Sequence, residues 1–172
     1  MTGIPRDDEG ALRALAEAYA TAVDRRDGRG FAALFADGGE LWVPSLPDEH
    51  RPVVVRRGDA LASAPAALDR YEWTFHQVVD ARYAVPVPGD DPPDQATGIV
   101  RGVAHHVSAA EDVPGSAGID TVWYLTYLDE YVREERGWRF ARRALHLQWV
   151  EDRPVAVLAQ RGGTGWGGGG PT

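Results

Sequence analysis

Three side chains with complementary acid and base chemistry stand at defined places in the sequence. Tyr19 and, five residues later, Asp24 lie at the end of an amphipathic stretch, AYATAVDRRD, and His76 opens the segment TFHQVVDARY. An imidazole can take a proton and return it, a carboxylate can orient that imidazole, and a phenol can donate to a substrate oxygen. The sequence therefore predicts a set able to remove a proton next to a carbonyl and to expel a hydroxyl group.

Each of these side chains also has an ordinary structural role open to it. A tyrosine on an apolar helical stripe is equally consistent with a core residue whose hydroxyl finds a partner. An acid near a helix end is equally consistent with a solvated surface group. The hypothesis therefore requires Tyr19, Asp24 and His76 to converge on one cavity, with Asp24 within hydrogen-bond reach of the imidazole.

Two adjacent histidines on a later predicted strand supply a further candidate. His105 and His106 point to opposite faces of a strand, so only one of them can enter an interior. His106 shares its face with Gly102 and Ala104, whose small size would leave room for a ligand. His106 is therefore predicted as a catalytic residue in the pocket, and His105 is kept as the alternate.

The last predicted strand poses the same question with two arginines. Either Arg142 or Arg143 could bind an anionic or carbonyl group through the donor fork of its guanidinium, and Arg142 is the predicted substrate contact. Pairing with Asp129 or Glu130 across the hairpin is equally consistent with either arginine. The choice between them stays open in the sequence.

Aromatic residues are concentrated in the predicted sheet. Trp42 and Tyr127 are predicted to contact the substrate, because a pocket for a flat apolar molecule needs ring surfaces. Other aromatic side chains would leave an apolar outer face on the sheet. We therefore expect a homodimer that buries this outer face.

The composition excludes several classes of function. The chain has 172 residues, of which 44% are hydrophobic, enough for one domain with a substantial core. A net charge of −8 disfavours nucleic acid and membrane surfaces as partners. All 18 basic residues are arginine and no cysteine is present, which excludes a lysine Schiff base and thiolate chemistry. Without an apolar signal segment, a soluble cytoplasmic protein is expected.

No cofactor is predicted. His76, His106 and Asp24 together would make a two-histidine, one-carboxylate metal set, but their spacing forms no local metal motif. No GxGxxG sequence precedes a helix and no GxSxG sequence occurs. The acid and base groups themselves are therefore expected to do the chemistry.

Helices are predicted in the first part of the chain. A helix over roughly residues 8–26 is indicated by an i, i+3, i+4 stripe of apolar residues, namely Leu12, Leu15, Ala16, Tyr19 and Val23. FAALFA at 31–36 predicts a short second helix after glycines that break the first, and ELWV predicts a short strand. Residues 58–71 predict a third helix, with Asp59 as its cap. Pro65 is a position at which this helix could be split into two pieces.

Strands are predicted in the second part, near residues 73–86, 95–109, 119–135 and 138–150. The segments between them carry turn residues, so successive strands are expected to pair as an antiparallel meander. Helices followed by such a sheet indicate an α+β fold. A domain over residues 1–150 is expected, followed by a flexible tail over 151–172 that has seven glycines in residues 162–170.

The order of these segments resembles the SnoaL-like branch of the NTF2-like superfamily over roughly residues 9–150. AYATAVDRRD, ADGGELWV, TFHQVVDARY and GWRFARRALHLQW carry the resemblance. It implies a cone-shaped α+β barrel, in which a strongly curved mixed or antiparallel sheet wraps around three N-terminal helices. It also implies one deep apolar pocket with acid and base side chains pointing inward.

The resemblance implies site residues as well. Asp24 and His76 match an aspartate–histidine pair of the bile-acid dehydratase type, and Tyr19 matches a helix-1 tyrosine of ketosteroid isomerases and dehydratases. The position of the isomerase base is taken by Val43, which argues against that chemistry. The family's aldol cyclases use a strand aspartate, for which the candidates here are Asp80, Asp120 and Asp129.

The sequence thus predicts a cofactor-independent acid/base enzyme, either a dehydratase or a cyclase/isomerase. Its expected substrate is a small apolar oxygenated molecule of polyketide or steroid type, bound in an internal pocket. Two alternatives remain open. A binding domain without chemistry is favoured if Asp24 and His76 lie apart, and an assembly subunit would need a second chain against its aromatic sheet face.

Overall fold

Helices precede a long sheet, as the sequence predicts. The structure is a computed structural model that describes residues 4–44, 54–85, 94–108 and 118–156. The elements in chain order are α1 (Arg6–Asp24), α2 (Gly28–Ala32), β1 (Phe35–Val43), β2 (Val54–Arg57), α3 (Asp59–Ala62), a 3₁₀ helix (Pro65–Leu68), β3 (Trp73–Ala84), β4 (Gln95–Ser108), β5 (Gly118–Glu134) and β6 (Gly137–Val155). None of the helices in the described part of the chain is long and apolar enough to span a bilayer.

The sheet has six strands in the order β2-β1-β6-β5-β4-β3. Strands β3 to β6 pair antiparallel in succession, which confirms the predicted meander. Strand β1 joins the sheet parallel to β6, and β2 pairs antiparallel with β1. The result is an open mixed sheet, whose inner face is covered by α1 and by the segment from α3 to the 3₁₀ helix.

Helix α1 packs its apolar stripe into the core. The buried residues of this stripe are Leu12, Leu15, Ala16, Tyr19 and Val23. Each large apolar side chain removed from water contributes about 1.5–3 kcal/mol, so the stripe fixes the rotation of the helix. At the first turn, buried Asp8 accepts hydrogen bonds from Arg133 and, at 3.0 Å, from Trp138 Nε1. Tyr19 and Asp24 consequently face the sheet at the opposite end of the helix.

Two predicted helices differ from those observed. Helix α2 begins at Gly28, earlier than predicted, because the Asp27 side chain caps it by accepting from the Gly30 backbone N–H at 2.8 Å. The predicted third helix is divided into α3 and the 3₁₀ helix, with Pro65 opening the second piece. Asp59 lies inside α3 and makes no capping hydrogen bond, so its predicted role is wrong.

Three strand predictions also need correction. Strand β1 is longer than ELWV, because the turn predicted at residues 37–39 lies within the strand at a register shift that includes Gly38 at φ 72°. Strand β2 is not predicted from the sequence. Strand β6 continues to Val155, paired with Gly118 of β5, so the predicted tail cannot begin at residue 151. The glycine-rich residues 157–172 lie outside the described part of the chain.

The outer face of the sheet exposes large apolar side chains. They include Trp73, Phe75, Ile99, Leu128 and Trp149. Such a surface is typical of a face that binds another protein. The homodimer stays a prediction.

Candidate active site

An apolar cavity lies between α1, the 3₁₀ segment and the inner face of the sheet. Its volume is about 200 Å³, and most of its surface is apolar. Its polar lining comes from Tyr19, Arg56, Arg70, His76, His106 and Tyr127. Tyr19 and His76 also border a smaller adjoining cavity next to Arg143. Tyr19, His76 and His106 therefore line one space.

Asp24 and His76 form a hydrogen-bonded pair at this cavity. Asp24 Oδ1 lies 2.7 Å from His76 Nδ1, and Asp24 Oδ2 accepts from the His76 backbone N–H at 2.9 Å. Because an ionised carboxylate can only accept, Nδ1 carries the proton and Nε2 keeps its lone pair. The predicted pairing of Asp24 with His76 is confirmed. The imidazole that carries the unprotonated Nε2 lines the cavity.

Two residues that the sequence did not single out hold the carboxylate in place. Thr74 Oγ1 donates to Asp24 Oδ1 at 3.0 Å, and Arg26 Nη1 donates to Thr74 Oγ1 at 2.8 Å. Arg26 adopts the left-handed conformation, with φ 56°, and also donates to the Leu68 carbonyl at 2.9 Å. A non-glycine residue in this conformation is strained and needs compensating contacts. Arg26 thus ties the end of α1 to the segment that covers the cavity.

The electrostatic state of Asp24 follows from these contacts. Burial by itself raises the pKa of this carboxyl, but hydrogen bonds from the His76 ring, the His76 backbone and Thr74 outweigh burial and lower it below its usual value. Asp24 is therefore ionised at neutral pH. An ionised Asp24 holds the His76 ring in one tautomer and stabilises positive charge on it.

His106 lies deeper in the cavity and is 1% exposed. Its Nδ1 donates to the Thr121 carbonyl at 3.1 Å, since a carbonyl oxygen can only accept. Its Nε2 is buried and has no partner among the described residues. Burial, together with the nearby His76, lowers the pKa of His106 to about 4. His106 thus presents an uncharged acceptor to the cavity.

The predicted choice between the two adjacent histidines is resolved by the strand geometry. The His106 ring packs at 4.5 Å from the Trp123 ring and perpendicular to the His76 ring at 5.4 Å. His105 points to the other face, where its Nδ1 lies 2.7 Å from Asp120 Oδ2. His105 does not line the cavity, so its role as alternate pocket residue is wrong.

Tyr19 lines the cavity, and its phenol stays protonated at neutral pH. Burial raises the pKa of Tyr19 to about 12, although the charge of Arg143 acts in the opposite direction. The Arg143 guanidinium lies 4.3 Å from the Tyr19 ring centroid and 4.0 Å from that of Tyr127. Tyr127 lines the cavity beside it, as predicted. The side chains of Tyr19 and Tyr127 are hydrogen-bonded to each other. One of the two phenol protons is used in that bond, and the other can be donated to a substrate oxygen.

Arg143 is fully buried and is bound by Asp129. Its Nε donates to Asp129 Oδ1 at 3.0 Å and its Nη2 to Asp129 Oδ2 at 2.9 Å. Tyr131 donates to the same carboxylate at 2.7 Å. Removing one partner of such a pair leaves an uncompensated buried charge, so the pair fixes the sheet behind Tyr19.

Arg142 and Trp42 lie outside the cavity, and their predicted substrate contacts are wrong. Arg142 donates to Glu130 on a partly exposed surface, and its guanidinium lies 5.5 Å from the Trp42 ring centroid. Trp42 donates to Glu40 at 2.6 Å, while its strand neighbours Leu41 and Val43 line the cavity. A register shift after Glu130 reverses the side-chain alternation of β6, which places Arg143 inside and Arg142 outside.

The three aspartates considered for an aldol cyclase do not line the cavity. Asp80 lies 3.9 Å from Arg82 on an exposed part of β3, Asp120 pairs with His105, and Asp129 pairs with Arg143. Val43 lines the cavity at the position where the isomerases carry their base. Within the described residues, no three histidine, aspartate or glutamate side chains cluster as a metal ion would require.

The sequence matches the SnoaL-like domain family over residues 6–144. The chain belongs to this family. No curated protein matches the sequence. The match covers every element from α1 to the middle of β6, including Tyr19, Asp24, His76 and His106.

Solved structures share the fold of this SnoaL-like protein. A hexachlorocyclohexane dehydrochlorinase, LinA type 2, is 18% identical with a TM-score of 0.68, covering 91% of this chain and 95% of its own. A scytalone dehydratase-like protein from Novosphingobium aromaticivorans is 18% identical with a TM-score of 0.65, covering 90% and 95%. Rv3472 from Mycobacterium tuberculosis, of unknown function, is 24% identical with a TM-score of 0.62, covering 84% and 78%. At these identities the likeness shows the NTF2-like fold alone.

Proposed function

We propose that the protein is a cofactor-independent lyase that removes a proton and a leaving group from adjacent carbon atoms of a small apolar molecule. The observation that carries this proposal is the 2.7 Å pairing of Asp24 with His76 Nδ1, on a ring that lines an apolar cavity. That pairing leaves Nε2 as a base in a space where substrate can reach it. A dehydrochlorinase and a scytalone dehydratase-like protein among proteins of the same fold support this class of reaction.

The proton moves between substrate and His76 in this mechanism. His76 Nε2 takes a proton from a carbon next to a carbonyl or another electron-withdrawing group, and Asp24 stabilises the resulting imidazolium. The electron pair of the broken C–H bond forms the new C=C bond, and the leaving group departs with its own bonding pair. When that group is hydroxide, the imidazolium returns its proton and water leaves, which restores the neutral base.

Tyr19 supplies the donor that this reaction needs. Charge develops on the substrate oxygen as the proton is lost, and a phenol kept neutral by burial can donate to that oxygen. The fixed stacking of Arg143 on the Tyr19 ring holds the phenol before the substrate arrives. A donor that is already in place costs no reorganisation in the transition state.

His106 acts as an acceptor in this proposal and not as an acid. With a pKa of about 4 and its only proton committed to Thr121, its ring has no proton to donate at neutral pH. Its buried, unpartnered Nε2 instead accepts from a hydroxyl or N–H group of the substrate. A hydroxyl bound in this way becomes a poorer leaving group, so it is a group that the product retains.

The size of the cavity supports a compact substrate. A volume of about 200 Å³ lies below the roughly 300–1,000 Å³ of pockets that take drug-sized ligands. A molecule of one or two rings fits this space better than a four-ring steroid. The apolar lining, with a few polar atoms at fixed places, suits an oxygenated ring compound.

The proposal is tested by a panel of candidate substrates in D₂O followed by NMR. The panel contains β-hydroxy ketones, hydroxylated bicyclic ketones and polychlorinated cyclohexanes. We expect loss of water or chloride, or deuterium incorporation at the acidic carbon, with the wild type and not with His76→Ala. If His76→Ala gives the same products or the same exchange as the wild type, His76 is not the base and the proposal is wrong.

A further inference from the structure

The described lining of the cavity contains two arginines and no carboxylate. Arg56 comes from β2 and Arg70 from the turn after the 3₁₀ helix, so two separate segments bring them to the same space. The chain as a whole carries a net charge of −8. The positive charge at the cavity is therefore opposite in sign to the charge of the protein.

Both guanidinium groups have only neutral partners within the described residues. Arg56 Nη1 donates to Ser63 Oγ at 3.1 Å, and Arg70 Nη2 donates to the Tyr71 hydroxyl at 2.9 Å. By contrast Arg57, the next residue on β2, forms an ion pair with Glu40 at 2.6 Å and does not line the cavity. The arginines at the cavity thus keep charge and donors that a ligand can use.

The two arginines occupy the more exposed part of the lining. Arg70 is exposed and Arg56 half-buried, whereas the side chain of His76 is 11% exposed and His106 is 1% exposed. Arg70 stacks on the Tyr71 ring at 4.8 Å, and that ring lies 4.9 Å from the His106 ring. The cavity is therefore polarised, with fixed cations at its exposed end and uncharged acceptors in its interior.

We infer that Arg56 and Arg70 form an anion subsite, and that the substrate carries a carboxylate or a similar oxyanion at the end opposite to the reacting carbon. A guanidinium offers a planar fork of N–H donors that matches a carboxylate. Anchoring the anion at the exposed end would direct the apolar body of the substrate inward to His76. This inference rests on the proposed function and names the class of substrate for it.

Binding of benzoate and benzamide, followed by NMR, tests the subsite without a known substrate. The two probes have the same size and differ in charge, and ring protons of His76 and His106 report whether a probe enters the cavity. We expect benzoate to bind on the order of tenfold more tightly than benzamide. Arg56→Gln and Arg70→Gln should each remove most of this preference, while Arg57→Gln, the matched control on the same strand, should keep it.

Equal affinity for the two probes overturns the inference, as does failure of benzoate to bind. So does a preference for benzoate that survives the Arg56→Gln, Arg70→Gln double variant. His76→Ala separates this inference from the proposed function, because it should abolish turnover and leave the preference for benzoate intact. If the protein prefers benzoate but catalyses no elimination in the substrate panel, the proposed lyase activity is wrong, while the inferred anion subsite is supported.

Discussion

Two histidine–aspartate pairs lie on opposite faces of the same sheet. His76, which Asp24 pairs with, lines the cavity, whereas Asp120 and His105 lie on the outer face. In both pairs a carboxylate oxygen lies 2.7 Å from Nδ1 of the imidazole. The distance between the partners therefore does not distinguish a catalytic pair from a structural one.

The surroundings of the two pairs do distinguish them. Asp24 accepts further hydrogen bonds from Thr74 and from the His76 backbone, while Oδ1 of Asp120 is buried without a partner among the described residues. The ring of His105 lies 6.4 Å from the exposed ring of Phe75 and borders no part of the cavity. An oriented imidazole becomes a base only where a substrate can approach its second nitrogen.

The largest expected effect compares the two histidines directly. His76→Ala should lower turnover by a factor on the order of 10²–10⁴, the usual contribution of one acid/base catalyst, with substrate affinity retained. His105→Ala should leave turnover within about twofold, since His105 pairs with Asp120 on the outer face and does not line the cavity. The measurement is kcat and KM for any substrate found in the panel. Equal losses in the two variants would show that His76 has no special part in the chemistry.

A smaller effect is expected from the two aspartates. Asp24→Asn keeps the shape of the side chain but removes the charge that stabilises the imidazolium, so kcat should fall about 10- to 1,000-fold. Asp120→Asn should change kcat little. Thermal unfolding of both variants provides the control for folding. If Asp120→Asn lowers kcat as much as Asp24→Asn does, the distinction between the inner and outer pairs is wrong.

The parts of this site that follow from short-range pattern could be predicted from the sequence. The apolar stripe of α1 fixes which face is buried, and Tyr19 lies on that stripe. Alternation along β4 indicates that only one of the adjacent histidines faces inward, and the small residues beside His106 favour that one. Asp24 and His76 are separated by 52 residues, so no local spacing indicates that they pair. Their complementary chemistry and the resemblance to a family together carry that prediction.

Other features depend on geometry that no local pattern carries. A register shift in the β5–β6 hairpin decides that Arg143 is buried and Arg142 lies partly exposed on the other face. The two arginines have the same chemistry in the sequence. Strand β2 is only four residues long and exists through pairing with β1. Arg26 contributes through a left-handed backbone conformation, which is uncommon for arginine. These features arise from tertiary contacts, so a pattern of residue types does not reveal them.

The smallest expected effect concerns the two adjacent histidines and the pH dependence of stability. Burial lowers the pKa of His106 to about 4 from a usual 6.5, so the unfolded chain binds a proton between these values that the folded chain does not bind. Stability therefore falls as pH drops through this window. Between pH 6.5 and 5.5 the contribution of His106 amounts to about 1 kcal/mol of unfolding free energy.

Urea unfolding of wild type, His106→Leu and His105→Leu at the two pH values tests this expectation. His106→Leu removes the titrating group, so the loss of stability on acidification should shrink by about 1 kcal/mol, whatever the variant costs at the higher pH. His105→Leu should keep the wild-type slope if the burial of His106 is the cause. Asp24 acts in the same direction, because its lowered pKa gives stability that is present above its usual value and is lost as pH falls through the lowered value. The contribution of Asp24 lies below the chosen window. An unchanged slope in His106→Leu would therefore mean that His106 binds protons to the same extent in the folded and the unfolded protein, and that it is not the uncharged acceptor of the cavity.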